Sequence, residues 1–291
     1  MFAERALRAT GRGRQNMDRA IFALCIVAGG LALLPLVLVL LYLLIEGSKG
    51  WSLAFLVSPP GGITSKNSGA LNAIIGTLEM TGIGLAIAAP VGMAVALYVI
   101  EFHEGRAALI VRAAVDLVAG IPSIVIGLFI YSLIVVRMGH YSGIAGSVAL
   151  ALIMLPIIAR TSEEMFKIVP RRMREGTMAL AMPRWRAIGW VYIPTVAAGI
   201  MTGIVLAVSR AVGETAPLLF TALGSNFVVT DPTRPMSALP LYMFQNALNI
   251  GFPAARQRAW AAALTLVAIV LIFNILGRWL GRRTLASGTR T

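Results

Sequence analysis

Long apolar runs separated by short polar connections extend along most of this chain. A helix needs about 20 mostly apolar residues to cross the hydrocarbon core of a bilayer, which is roughly 30 Å thick, because each residue rises about 1.5 Å. Six runs are long enough, at about 21–45, 73–100, 109–136, 142–158, 193–220 and 260–280. The pattern therefore predicts an all-α integral membrane protein with six transmembrane helices.

The composition agrees with a lipid bilayer as the solvent of this chain. Hydrophobic residues make up 58% of the 291 residues and charged residues only 13%, which is too few to solvate a soluble domain. The net charge of +13 could suggest nucleic-acid binding, but the charges lie almost entirely between the apolar runs, so no nucleic-acid partner is predicted. The single cysteine and two distant histidines predict neither a disulfide framework nor a metal site.

The Lys and Arg residues fall mainly on one side of the predicted membrane. Eighteen lie in the N-terminal arm, the second-to-third and fourth-to-fifth connections and the C-terminal tail, against six on the opposite side. Because positively charged connections tend to stay in the cytoplasm, both termini are predicted to be cytoplasmic. The predicted organisation is a cytoplasmic basic arm (1–20), a transmembrane domain (21–281) with a cytoplasmic loop at about 161–190, and a cytoplasmic tail (282–291).

The remaining connections are predicted to be outer loops. Residues 46–70 and 223–256 are rich in Gly, Pro, Ser and Asn, which is typical of turns. The first apolar run is too long for the hydrophobic part of a signal peptide, so a retained span is predicted there.

A few ionisable side chains interrupt the apolar runs, namely Glu79, Asp116, Arg210 and Glu214. Such residues cost about 2.5–3.5 kcal/mol each on insertion scales and usually face a partner or a cavity. For Glu79 and Asp116 we expect a structural pairing. Arg210 and Glu214 share a helix face if the helix continues past Gly213, and two interpretations stay open. Either they form an ion pair that locks helix packing, or Arg210 contacts an anion in transit while Glu214 orients it.

The long basic connection at 161–190 is predicted to contain one or two short amphipathic helices. Apolar side chains recur in it every three or four residues, at Met178, Met182, Trp185 and Ile188. This spacing predicts an apolar ridge, which Pro183 is placed to divide. The ridge fits either the surface of anionic lipid or a groove on a cytoplasmic partner.

The chain lacks the signatures of an enzyme. It has no G-x-x-x-x-G-K-[ST] loop for nucleotides, no convincing nucleophile–base pair and no cluster of metal ligands. Energy for any uphill transport is therefore expected from a partner or from an ion gradient.

The basic connection resembles the signature of ABC importer permeases, which is E-A-A, three residues, G, nine residues and I-x-L-P. Here it reads Glu175-Gly176-Thr177, then Ala181, then Val191-Tyr192-Ile193-Pro194, so Glu175 and Pro194 keep the spacing while alanine replaces the glycine. Further stretches resemble the PstA family of phosphate permeases: AGIPSIVIGL at 119–128, ARTSEEM at 159–165 and SRAVGETAPLLFTA at 209–222. The resemblance covers nearly the whole chain.

This resemblance implies a type I ABC importer (MetI-like) permease in the bacterial inner membrane that moves phosphate by alternating access. It implies a homologous second permease of the PstC type, two copies of a cytoplasmic ATPase of the PstB type and a periplasmic phosphate-binding protein of the PstS type. ATP and Mg would belong to the ATPase, with no cofactor in this chain.

The resemblance also implies roles for individual residues. Arg210 and Arg160 are similar to family arginines tied to phosphate passage, with Glu214 beside Arg210. Arg160 is predicted at the cytoplasmic end of the fourth span, where it could serve the exit of the path or hold the loop. The coupling helix that meets the ATPase would include Glu175, Gly176, Ala179, Leu180 and Trp185.

Two other functions remain open at this stage. The same fold could carry another oxyanion, such as sulfate, molybdate or a phosphonate. Alternatively, the chain could be a membrane scaffold for phosphate signalling that recruits a cytoplasmic protein through its basic loop.

Overall fold

The computed structural model describes residues 2–62, 65, 68–102 and 105–288, with side chains from 17 to 279. The predicted tail, and the predicted basic arm as far as residue 16, lie outside the described side chains. Helices account for most of the described chain. They are α1 (Phe2–Gly50), α2 (Leu53–Val57), α3 (Leu71–Glu101), α4 (Arg106–Gly120), α5 (Ser123–Ile130), α6 (Val136–Met138), α7 (Gly143–Ile168), α8 (Arg171–Ala179), α9 (Arg184–Arg186), α10 (Ile193–Val212), α11 (Ala216–Thr221), α12 (Leu239–Leu248) and α13 (Pro253–Gly288). π-Helical turns at 131–135 and 187–192 join α5 to α6 and α9 to α10.

The predicted membrane spans are present, and one of them is broken. Within the described residues, α1, α3, α7, α13 and the continuous stretch Arg184–Val212 are long and apolar enough to cross a bilayer. A sixth span exists if Arg106–Gly120 and Ser123–Met138 count as one, although they meet at an angle of 104°. The break follows from Pro122, which disfavours helical backbone in the residue before it, and Ile121 is extended. The prediction of an all-α membrane protein is confirmed.

Helix α7 is the centre of the fold. Its most apolar stretch is 67% buried, whereas the corresponding stretch of α3 is 28% buried and that of α1 is not buried. Helices α3 and α7 approach closely because glycines lie between them, as is common in membranes. A side chain on Gly84, for example, would lie 2.9 Å from the methyl group of Met154. Met154 and Met80 are fully buried in the resulting core.

Two predicted boundaries are wrong. The fourth span does not end near residue 158 but continues as one helix to Ile168, so residues 161–168 at the start of the predicted coupling loop belong to that helix. The fifth span does not reach residue 220 as one helix, because α10 ends at Val212 and α11 begins at Ala216. Pro217 in the first turn of α11 suits a helix start and could not have continued α10 without a kink.

Part of the predicted outer loop 223–256 is a helix whose first turn is buried. Leu239 and Leu241 of α12 are fully buried. The backbone N–H of Leu239 donates to Thr77 Oγ1 (2.8 Å), and Tyr242 OH donates to the carbonyl of Gly69 (3.0 Å). Burial raises the pKa of Tyr242, which keeps this hydroxyl protonated as a donor. This segment therefore closes one end of the helix bundle rather than forming an open loop.

The contact between α3 and the segment before α12 should not tolerate a side chain at Gly76. A Cβ atom there would overlap the carbonyl oxygen of Ser237. We expect Gly76→Ala to lower the stability of the purified protein by about 1–3 kcal/mol, as overpacking does elsewhere. Thermal unfolding in detergent would measure this.

Gly82 supplies the matched control, since it lies on the same helix and a Cβ there has no neighbour within 4 Å. Gly82→Ala should leave the unfolding temperature unchanged or raise it slightly. Equal losses in both variants would contradict the packing described here.

Candidate functional site

The bend between α4 and α5 opens into a cavity of about 280 Å³. Ile121 and Ser123 line it at the bend, Pro156 and Arg160 line it from α7, and Arg210 lines it from α10. The three stretches that resemble the PstA family therefore meet at one place. A mainly apolar cavity that contains two guanidinium groups favours an anionic ligand.

Arg160 does not lie at the end of its span as predicted. Helix α7 continues for eight residues beyond it, which is about two turns, and the Arg160 side chain is 34% exposed. Its Nε donates to Asp116 Oδ1 (2.8 Å) and its Nη1 to Glu163 Oε2 (3.1 Å). The structural pairing expected for Asp116 is confirmed, and Arg160 faces the cavity rather than the coupling loop.

Glu163 contacts three cationic side chains, and it was not among the residues predicted from the sequence to form the site. Its side chain is only 4% exposed, and besides Arg160 it accepts from Arg112 Nη2 (2.6 Å) and contacts Lys167 Nζ (2.9 Å). Arg112 lies on α4, so this carboxylate ties the first half of the broken span to the central helix. The spacing was a usable signal, since Glu163 follows Arg160 by three residues and precedes Lys167 by four.

Arg210 and Glu214 lie at the end of α10. The helix ends at Val212, so it does not continue between them. Arg210 Nε and Glu214 Oε1 are 3.6 Å apart, beyond a normal hydrogen bond, and the arginine side chain is 59% exposed. A long, half-exposed ion pair contributes little to packing. The geometry therefore favours the anion-contact interpretation over the locking interpretation.

Glu79 lies apart from this cavity. Its electrostatic neighbour is Asp231 in the segment after α11, a group of the same charge. Among the described residues no Lys or Arg forms an ion pair with Glu79, so the pairing expected for it is not observed.

A larger groove, of about 820 Å³, lies between α1, α2 and α13. Its buried arginine, Arg258, donates to the backbone carbonyls of Ala254 (3.2 Å) and Gly62 (3.2 Å). The bond to Gly62 holds the connection between α2 and α3 against α13. The arginine therefore has a structural task, and the smaller cavity is the better candidate for an anion.

The predicted coupling helix is α8 with the turn that follows it. Its inner face is fixed to the rest of the protein, because Arg174 Nη2 donates to the carbonyl of Phe166 (2.8 Å) and Thr177 Oγ1 lies 3.0 Å from the hydroxyl of Tyr192. All of the predicted coupling residues are exposed, namely Glu175, Gly176, Ala179, Leu180 and Trp185. Met178 and Leu180 are also exposed, at 69% and 76%, and they lie at the end of α8 and just after it.

The predicted apolar ridge is not one helical face. Helix α8 ends at Ala179, and Ala181 has a φ of +48°, in the left-handed region that favours glycine. This explains why the importer signature has a glycine at that position. Beyond the turn, the Arg186 guanidinium lies 5.0 Å from the ring of Trp185 and 5.9 Å from that of Trp190. The ridge is therefore two exposed apolar patches on either side of a tight turn.

Comparison with known proteins identifies the family. The family of binding-protein-dependent transport system inner membrane components matches residues 88–286. The phosphate transport system permease protein PstA of Yersinia pestis is 37% identical over 266 residues, which cover 91% of this chain and 90% of that protein. The chain belongs to the PstA family. The PstA protein of Pasteurella multocida is also 37% identical, over 91% of this chain and 94% of its own length.

Solved structures agree on the fold of this PstA-family chain. An inward-facing structure of the MetNI methionine ABC transporter matches with a TM-score of 0.60 and 20% identity, over 74% of this chain and 94% of that one. An amino acid ABC transporter matches with a TM-score of 0.52 and 20% identity, over 73% and 92%. At this identity the likeness shows the fold alone, which is that of a type I ABC importer permease of the MetI type.

Glu163 should be essential for the stability of this PstA-family permease. We expect Glu163→Gln to lower stability by about 1.5–3 kcal/mol, because Arg112 loses its carboxylate partner among the described residues, whereas Arg160 and Lys167 keep Asp116 and Glu164. The loss of folded protein after heating in detergent would measure the effect.

The adjacent Glu164 is the matched control, since it is 61% exposed and pairs with Lys167 alone among the described residues. Glu164→Gln should cost about 0–1 kcal/mol. If the two variants unfolded at the same temperature, the central place given to Glu163 would be wrong.

Proposed function

We propose that this chain is the transmembrane permease subunit of an ATP-driven importer that moves inorganic phosphate into the cell by alternating access. The observation that carries the proposal is the cavity at the broken span, where Arg160 and Arg210 converge. Two planar guanidinium forks suit a tetrahedral oxyanion, because each can donate two parallel hydrogen bonds. The PstA name of relatives that match nearly the whole chain supports phosphate as the cargo.

The two arginines differ in how readily they can bind the passing anion. Arg210 is half-exposed and only loosely paired with Glu214, so it makes the readily available contact. Arg160 is bound by two carboxylates and contributes after one of them yields. Neither arginine belongs to a tight cluster of cations around the anion. The anion can therefore leave as the cavity opens to the other side.

The broken span explains how the cavity changes sides. Helices α4 and α5 meet at 104°, and α4 is tied to α7 by Arg112 and Glu163 whereas α5 packs on α11. Gly127 of α5 makes this packing close, because a Cβ there would lie 2.6 Å from the Cα of Pro217. Helix α5 also packs on α7, so both halves share the central helix, and the cavity lies at the joint between them. We infer that a change in the angle at this joint opens the cavity to one side or the other.

Coupling to ATP hydrolysis is assigned to α8 and its turn. The exposed side chains of Met178, Leu180 and Trp185 fit an apolar groove on a cytoplasmic partner. ATP and Mg would bind that partner, and this chain would have no cofactor and no enzymatic activity of its own. The orientation that follows has α8 and both termini in the cytoplasm, with the chain in the bacterial inner membrane.

The complete importer would contain four kinds of subunit. A second permease of the PstC type would close the other side of the cavity, and two copies of a PstB-type ATPase would contact the coupling helices. A periplasmic phosphate-binding protein of the PstS type would deliver phosphate to the outer face. The bilayer surrounds the permease pair.

The direct test of the cargo is uptake of radiolabelled phosphate, at low external phosphate, by cells lacking the gene and by the same cells with the gene restored. We expect high-affinity uptake to disappear and return, with inhibition by arsenate but not by sulfate. Inhibition by sulfate would point to another oxyanion. Unchanged uptake together with altered phosphate-responsive signalling would support a scaffold instead.

Arg210→Gln should abolish transport without disturbing assembly. Loss of one charged donor to an oxyanion removes about 1.5–3 kcal/mol, so phosphate uptake should fall at least tenfold. Uptake by the variant would be measured alongside the amount of assembled complex.

Arg234→Gln is the control, because Arg234 is also exposed and pairs with an acidic neighbour, Asp231, but lies in the segment after α11. Phosphate uptake by the Arg234→Gln variant should equal that of the wild type. Normal uptake by Arg210→Gln would refute the anion contact.

Trp185→Glu should uncouple transport from ATP hydrolysis, because it introduces a charge into the apolar docking surface. We expect the ATPase to co-purify poorly, or its phosphate-driven turnover to fall at least severalfold. Phe227→Glu, in the segment after α11 and also highly exposed, should have neither effect. Full recovery of the ATPase with unchanged turnover in Trp185→Glu would mean that α8 is not the coupling helix.

A further inference from the structure

The guanidinium of Arg160, to which an anion should bind, is already paired with carboxylates of its own chain. Asp116 Oδ1 accepts from Nε at 2.8 Å and also contacts Nη2. These two nitrogens form one of the edges with which a guanidinium binds an oxyanion through two parallel hydrogen bonds. Glu163 instead contacts Nη1, at 3.1 Å. An incoming anion therefore competes with Asp116 for this edge.

The two carboxylates differ in how easily they can leave. Glu163 is 4% exposed and has Arg112 and Lys167 as additional partners. Asp116 is 55% exposed. Among the described residues, its ion-pair partner is Arg160 alone. A buried carboxylate surrounded by cations resists displacement, whereas an exposed one is readily solvated. Asp116 is therefore the group that yields.

The position of Asp116 on α4 supports the same conclusion. Val118 and Ala119, the next residues but one and two along the helix, line the cavity, as does Arg160 itself. Asp116 does not itself line the cavity, but it contacts Arg160, which does, from the side of α4, while Glu163 contacts the same guanidinium from the side of α7. Arg160 can therefore keep Glu163 as a partner while its partner on α4 changes.

We propose that Asp116 is a built-in competitor of the transported oxyanion for Arg160. It occupies the paired Nε and Nη2 donors when the cavity is empty and releases them when a tetrahedral oxyanion enters. It returns as the anion leaves, and so keeps binding weak enough for rapid release. Glu163 is the positioning residue that fixes the guanidinium during this exchange. The inference rests on the proposed function of the cavity.

The test compares transporters reconstituted in proteoliposomes, each containing this full chain, the second permease and the ATPase. The periplasmic binding protein is left out at first, because its own phosphate binding would mask the weaker binding to the permease. Equilibrium binding of radiolabelled inorganic phosphate gives Kd, and ATP-driven turnover is measured on the same preparation after the binding protein is added. Asp116→Asn should lower Kd roughly two- to fivefold, the factor associated with an exposed ion pair. Turnover should fall, because release is slower. Misfolding does not produce tighter binding together with slower turnover.

Two comparisons isolate the exchange. In an Arg160→Gln background, Asp116→Asn should bring no gain in affinity, because the donor for which both anions compete is absent. Glu164→Gln, which removes an exposed carboxylate on α7 that pairs with Lys167, should leave Kd and turnover unchanged. If Asp116→Asn does not assemble, Asp116→Ala takes its place.

A Kd for Asp116→Asn that is unchanged or higher than that of the wild type would overturn the proposal. A gain that persists without Arg160 would overturn it as well, since it would reflect a general change in charge. Neither result would affect the assignment of the cavity to phosphate, which depends on uptake by the wild type and its loss in Arg210→Gln.

Discussion

The arrangement of this permease depends on the ion pairs that the buried carboxylate of Glu163 makes. An uncompensated charge in an apolar helix would be costly, and here three cations from two helices surround one carboxylate. This neutralisation lets α7 continue through a charged stretch, orients Arg160 towards the cavity and fixes α4 ahead of its break. Without it, the pair of Asp116 with Arg160 would be the remaining polar tie between α4 and the central helix among the described residues.

The overall architecture could be predicted from hydrophobic patterning, because the bilayer imposes one simple rule on length and polarity. The pattern predicted every span approximately, but it gave 109–136 and 193–220 as single runs, whereas the structure breaks them at Ile121 and after Val212. The special role of Arg210 could also be anticipated, since a lone charge in an apolar run needs a purpose. The residues that the resemblance assigns to the coupling helix are exposed on α8, on the turn after it and, for Trp185, on α9, and their role stays a prediction.

The errors have a common physical cause. A hydropathy pattern treats each charged residue as solvated, so the fourth span was ended where Arg160 and Glu163 begin. In the structure these charges neutralise each other across helices, which a one-dimensional pattern does not record. The same applies to α12, whose apolar run is too short to span a bilayer and lies among turn residues. Its burial depends on Thr77 and Gly69, which are far away in the sequence.

The break at Ile121 has a consequence for the water content of the protein. Regular helices satisfy their own peptide groups, but the last carbonyls of α4 and the first amides of α5 end beside the cavity. Peptide groups at membrane depth need hydrogen-bond partners, and a cavity with arginine side chains and a helix break provides a polar lining for several water molecules. Entry of an anion is then an exchange of one set of hydrogen bonds for another. The ion need not lose its hydration shell in a single step.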